Sequence, residues 1–131
     1  MNLRFTAGAL AATSLALAGG GLAIPASAGD GPTTIGVRNG VTERSFSLSR
    51  TRVNPGPAII QYTNTGEDPH DVKIQRKGSA TILELPETKP GGVAAFPLMK
   101  LRQDSKYILW CSLDGHRESG MEAGLRVRKK R

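Results

Sequence analysis

Apolar and polar residues alternate in short runs along most of this chain. Phe46 and Leu48 are interleaved with serines, and Ile60 and Tyr62 with Gln61 and Thr63. His70, Val72 and Ile74 fall on one side of an alternation whose other side is Asp71, Lys73 and Gln75. A period of two sends successive side chains to opposite faces of an extended backbone, so each run predicts a half-buried strand. Tyr107, Leu109 and Cys111 form another such face, with Ile108 and Trp110 opposite. Val93–Leu98 and Glu122–Val127 complete the set, with a weaker, shorter element at Ile82 and Leu85. Turn clusters stand between them, at Asn54-Pro55-Gly56-Pro57 and Pro90-Gly91-Gly92. Short strands punctuated in this way predict an all-β sandwich or barrel. Neither a long amphipathic helix nor an internal repeat is present, and Gly29–Thr34 is read as a flexible start.

The first 28 residues follow a different pattern. Met1–Arg4 is positively charged, Phe5–Leu22 is mostly apolar, and Ala26-Ser27-Ala28 is an A-x-A cleavage site. This is the pattern of an export signal, cut after Ala28. An uncleaved membrane anchor is the alternative, against which Gly19-Gly20-Gly21 and Pro25 interrupt the apolar stretch. No cysteine near the cut could accept a lipid, and there is no twin arginine. Cleavage leaves 103 of the 131 residues, enough for one small domain over 29–131, with a core at about 45–127. No later run approaches the roughly 20 apolar residues of a membrane span. The protein is therefore expected in the periplasm or outside the cell.

Charge and cysteine usage narrow the chemistry. The formal charge is +7, of which the signal removes Arg4, leaving +6. A short basic tail, Arg126-Val-Arg-Lys-Lys-Arg131, closes the chain. Export makes nucleic acid a poor partner. The tail instead points to an acidic redox partner or, weakly, to an anionic membrane face. With one cysteine, no disulfide can form within the chain, although exported domains of this size often use them. A lone thiol in an oxidising compartment is a liability unless something occupies it.

Metal ligation is one such occupation. Cys111, His116 and Met121 stand at equal spacings of five residues, between two predicted strands. The other histidine, His70, opens an upstream strand and shares the face of Val72 and Ile74. Two imidazoles, a thiolate and a weak axial thioether are the ligand set of a blue-copper electron-transfer site. Gly115 and Gly120 each precede a ligand directly, where a returning loop must turn tightly. Three ligands would come from one loop at the end of the sandwich and the fourth from a neighbouring strand.

The segment from Tyr107 to Val127 resembles the C-terminal copper loop of the cupredoxins, the plastocyanin and azurin group. Asn64-Thr-Gly-Glu-Asp-Pro-His-Asp-Val resembles the first-histidine motif of that family. The resemblance spans Ser45–Val127 and is weakest over Thr33–Arg44. It implies a Greek-key sandwich of about seven to eight strands. It also implies one type 1 copper held by His70, Cys111, His116 and Met121, with His116 near solvent as the electron route. Trp110 resembles an aromatic position that offers a second route; ordinary packing is the competing reading. Three departures stand out. Asp114 replaces a frequent proline. Asp71 replaces a frequent asparagine, and it could bridge the two ligand segments as an acceptor. Asp114, Arg117 and Glu118 make the surface beside His116 more polar than is usual.

The function expected on these grounds is a small exported carrier of single electrons, a monomer serving redox-protein partners. Its alternative is a copper delivery or storage protein. An enzyme is not expected. No paired carboxylates, serine–histidine pair or phosphate loop stands out, and no His-x-His pairs are present for a trinuclear copper cluster.

Overall fold

The computed structural model describes residues 31–131. The predicted export segment and its predicted cleavage site lie outside the described residues. Ten strands are present: β1 (Thr33–Asn39), β2 (Phe46–Leu48), β3 (Arg52–Val53), β4 (Gly56–Thr63), β5 (His70–Arg76), β6 (Ile82–Thr88), β7 (Val93–Ala95), β8 (Met99–Leu101), β9 (Ser105–Trp110) and β10 (Glu122–Val127). No helix is found among the described residues.

The strands form two mixed sheets. One has the order β2-β1-β4-β7, with β8 also on β4, and the other the order β3-β10-β9-β5-β6. β1 and β4 pair in parallel, as do β3 and β10, and the remaining pairs are antiparallel. The count exceeds the expected seven to eight for a local reason. β2 and β3 are successive pieces of one segment that passes from the first sheet to the second. β7 and β8 are two pieces that share the same edge of β4.

The core lies between the sheets. Ile35, Val37, Ala58, Ile60 and Tyr62 from one meet Val72, Ile74, Leu109, Leu125 and Val127 from the other. Each large side chain buried there adds about 1.5–3 kcal/mol. The alternation predicted for β4, β5, β9 and β10 is present in the burial pattern, except that Asp71 and Trp110, expected on the opposite face, are buried as well. Three elements differ from expectation. β1 contributes Ile35 and Val37 to the core, so the core starts earlier than residue 45, and Thr33 and Thr34 already belong to a strand. Flanking Thr34, Gly36 and Arg38 give β1 only two large apolar residues, too few to mark it locally. β6 is a full seven residues, but as an edge strand it buries only Leu85 and Thr88. Beyond Ala95, the segment predicted as Val93–Leu98 leaves the strand conformation.

Candidate metal centre

β5 and β9 are antiparallel neighbours, which brings the start of one beside the end of the other. His70 is the first residue of β5, and Cys111 follows the last residue of β9. A tight loop then returns the chain to β10. The Cys111 N–H donates to the Met121 carbonyl (3.1 Å) and the Met121 N–H to the His116 carbonyl (3.0 Å), so the backbone holds the three positions together. Gly115 and Gly120 adopt φ of 73° and 104°, in the region that side chains with a Cβ rarely enter. Cys111, His70 and Met121 are fully buried, and His116 is 9% exposed.

The donor atoms face one another. His70 Nδ1 lies 3.1 Å from His116 Nδ1, and Cys111 Sγ lies 3.5 Å from His116 Nδ1 and 4.0 Å from His70 Nδ1. A triangle with those edges has a centre about 2.1 Å from all three atoms, close to metal–imidazole (about 2.0–2.1 Å) and metal–thiolate (about 2.3 Å) bonds as zinc forms them. The cluster is thus sized for one metal ion.

Glu43, in the loop between β1 and β2, fixes the tautomer. Its Oε1 lies 2.7 Å from His70 Nε2. The backbone N–H groups of Glu67 and Asp68 also donate to this carboxylate, at 3.0 Å each. Those bonds, with Asp68 first and His70 second, hold the Glu43 carboxyl down at about 2. An ionised carboxylate only accepts, so His70 Nε2 carries a hydrogen, and Nδ1 is the nitrogen that faces the cluster. Burial, with Arg44 next, pushes the His116 imidazole below its ordinary value, which favours the neutral form that can ligate. Burial pushes the Cys111 thiol up to about 11. Without a cation this is an inert buried thiol; a coordinated ion would deprotonate it outright.

No family model and no curated protein matches the sequence. Solved structures match its fold. Reduced auracyanin from Roseiflexus castenholzii superposes with a TM-score of 0.62 at 18% identity, over 74% of this chain and 98% of that one. Auracyanin A, a blue copper protein from Chloroflexus aurantiacus, gives 0.62 at 18% identity, over 75% and 100%. Reduced rusticyanin gives 0.55 at 18%, over 75% and 81%. The chain has the cupredoxin fold.

Within that cupredoxin sandwich, the sequence-predicted residues His70, Cys111 and His116 converge at one end, and Met121 is tied by its backbone to the latter two. Asp71 bridges as an acceptor: the Ser112 N–H donates to its Oδ1 (2.6 Å) and the Ser112 hydroxyl to its Oδ2. Trp110 is packed, at 8% exposed, with the Arg117 guanidinium 4.5 Å from its ring centroid. Arg117 Nε in turn donates to Glu122 Oε2 at 2.6 Å. Asp114 and Glu118 are exposed beside His116, as the polar loop composition implies. Glu43 is the residue that sequence reasoning missed. It lies 27 positions before His70, in no motif and in the stretch where the resemblance is weakest, so no local signal marks it.

Proposed function

We propose that this protein carries single electrons through one type 1 copper that His70, Cys111, His116 and, more weakly, the Met121 thioether would hold. The observation that carries this reading is the buried triangle of two imidazole Nδ1 atoms and one thiol sulfur, sized for one ion. Copper, when bound by such a set, supplies a one-electron couple between Cu(I) and Cu(II). The chain's own residues prepare the rest. Glu43 orients His70, Asp71 anchors Ser112 beside Cys111, and the core beneath excludes water. A His70 ring held by Glu43 and a fixed loop leave little to rearrange when charge changes by one. His116 is the ligand that reaches the surface, and redox-protein partners would meet the molecule there. No acid or base in the site is asked to move a proton, so no enzymatic step is assigned to it. Export under a signal cut after Ala28, and a monomeric carrier, complete the reading.

Cu(II) added to the purified protein tests the proposal by visible absorption. An intense thiolate-to-copper band is expected, bleached by a mild reductant and absent in Cys111→Ala. A colourless complex, or only weak absorption from nitrogen and oxygen ligands, would overturn the carrier reading and return that of copper delivery or storage. Amino-terminal sequencing of the exported protein checks the cleavage site.

A further inference from the structure

The end of the sandwich opposite the metal centre carries an unusual charge distribution. β9 runs from Ser105 to Trp110, so its start lies about 20 Å from Cys111. Around that start, a groove is lined by Lys100, Arg102, Arg128, Lys129, Lys130 and Arg131, with Asn54, Gly56, Leu101 and Gln103. All six cations are exposed. On the neighbouring face, Arg126 pairs in register with Arg52 on one side and Lys106 on the other. Three like charges therefore occupy one cross-strand row, an arrangement that destabilises a sheet. Among the described acids, only Asp104 sits at this end, lining a second groove with Arg52, Lys106 and Arg126. None of these cations forms an ion pair among the described residues; the pairs present are Glu43–His70, Lys73–Glu84 and Arg117–Glu122. Glu43, Asp71, Asp114, Glu118 and Glu122 lie instead around the metal centre. Acidic groups are thus concentrated at the metal end, and the basic row at the other end is kept at a cost to the sheet.

We infer that this basic end is a docking surface for an anionic phospholipid membrane, which holds the protein with its metal centre facing away from the lipid. Three observations select that occupant. None of the exposed large apolar side chains Val41, Ile82, Leu83, Val93 and Leu98 lines either groove. Protein interfaces are depleted in lysine and need an apolar centre, whereas headgroups of an anionic leaflet reward dispersed lysine and arginine. An acidic redox partner seated here would stand the whole length of β9 from His116, too far for efficient electron exchange. This last point rests on the electron-carrier reading; the first two do not. No aromatic side chain lines either groove for a nucleobase to stack on.

Cosedimentation of the metal-free protein, in the form the cell exports, tests the inference independently of copper. Binding to vesicles of phosphatidylcholine with phosphatidylglycerol is expected at low salt, and none to phosphatidylcholine alone. Raising ionic strength from about 0.01 to 0.15 M, which shortens the screening length from about 30 to 8 Å, should release the protein. Replacing Arg128, Lys129, Lys130 and Arg131 with glutamine should weaken binding by at least about tenfold. Lys100→Gln with Arg102→Gln, from a different loop, should weaken it in the same direction, and Lys89→Gln at the metal end should not. The single tryptophan, Trp110, reports orientation, because brominated lipids should leave its fluorescence unquenched in the bound protein. Equal binding to both vesicle types, wild-type binding by both variants of the basic end, or quenching of Trp110 overturns the inference. So does capture by an acidic protein without capture by anionic vesicles.

Discussion

Glu43 shows how one side chain can prepare a site without belonging to it. Its carboxylate faces His70 Nε2 and is itself held by two backbone N–H groups, so it cannot swing away cheaply. Partners of this kind typically change metal affinity by about 10- to 100-fold when removed. Glu43→Ala is expected to weaken copper binding within that range in a competition titration with a chromophoric chelator, and Glu43→Gln to weaken it less. Tyr62 is the second instructive residue. Its hydroxyl donates to Asn39 Oδ1 (2.9 Å) inside the core. Burial above all, and then the neighbouring Cys111, pushes its phenol above the ordinary value. The folded value therefore exceeds the unfolded one. The stability that this group protects is intact below about pH 10 and is lost as pH rises toward the folded value. Urea titrations should show wild type weakening steeply above about pH 10 and Tyr62→Phe weakening less. Near neutrality the variant should lose about 0.5–1.5 kcal/mol, the net worth of one hydrogen bond.

Among the elements, the returning loop between β9 and β10 matters most. Its spacing of five residues is local information, and the backbone bonds among Cys111, His116 and Met121 follow from two glycines at positive φ. Those features are written in consecutive residues, so the loop was legible before any fold was known. The tie to β5 is different. Asp71 is buried at the register shift between His70 and Val72, and it reaches Ser112 on the neighbouring ligand segment. Asp71→Ala leaves the Ser112 N–H without its acceptor. A loss of about 1–3 kcal/mol is expected in urea unfolding, with about half or less for Asp71→Asn, which keeps one carbonyl oxygen. β1 and β6 escaped full recognition because their burial is settled by neighbours. β1 is covered on both sides by β2 and β4, and β6 is an edge that alternation alone describes poorly.

At the scale of the whole molecule, the two ends of the sandwich divide the labour. The metal centre, with most of the carboxylates around it, occupies one end, and the densest cluster of unpaired cations occupies the other. The centre draws on β5, the β1–β2 loop and the β9–β10 loop, so the ion it holds would bridge segments far apart in the chain. An ion that binds only the native state stabilises it by mass action, about 4 kcal/mol when the free ion exceeds its dissociation constant a thousandfold. Copper is therefore expected to raise the thermal midpoint followed by circular dichroism, and a chelator to reverse the shift. No rise on saturation would mean that the three donor atoms do not act together.

By itself, the sequence determined the strand alternation, the all-β class and the order and spacing of the four candidate ligands, because each is encoded within a few consecutive residues. Only the tertiary structure decided that Glu43 meets His70, that Ile35 and Val37 complete the core, and that Arg52, Lys106 and Arg126 stand in one row. Those facts depend on which strands become neighbours, in parallel or antiparallel register, and pairing between distant segments leaves no trace in local composition.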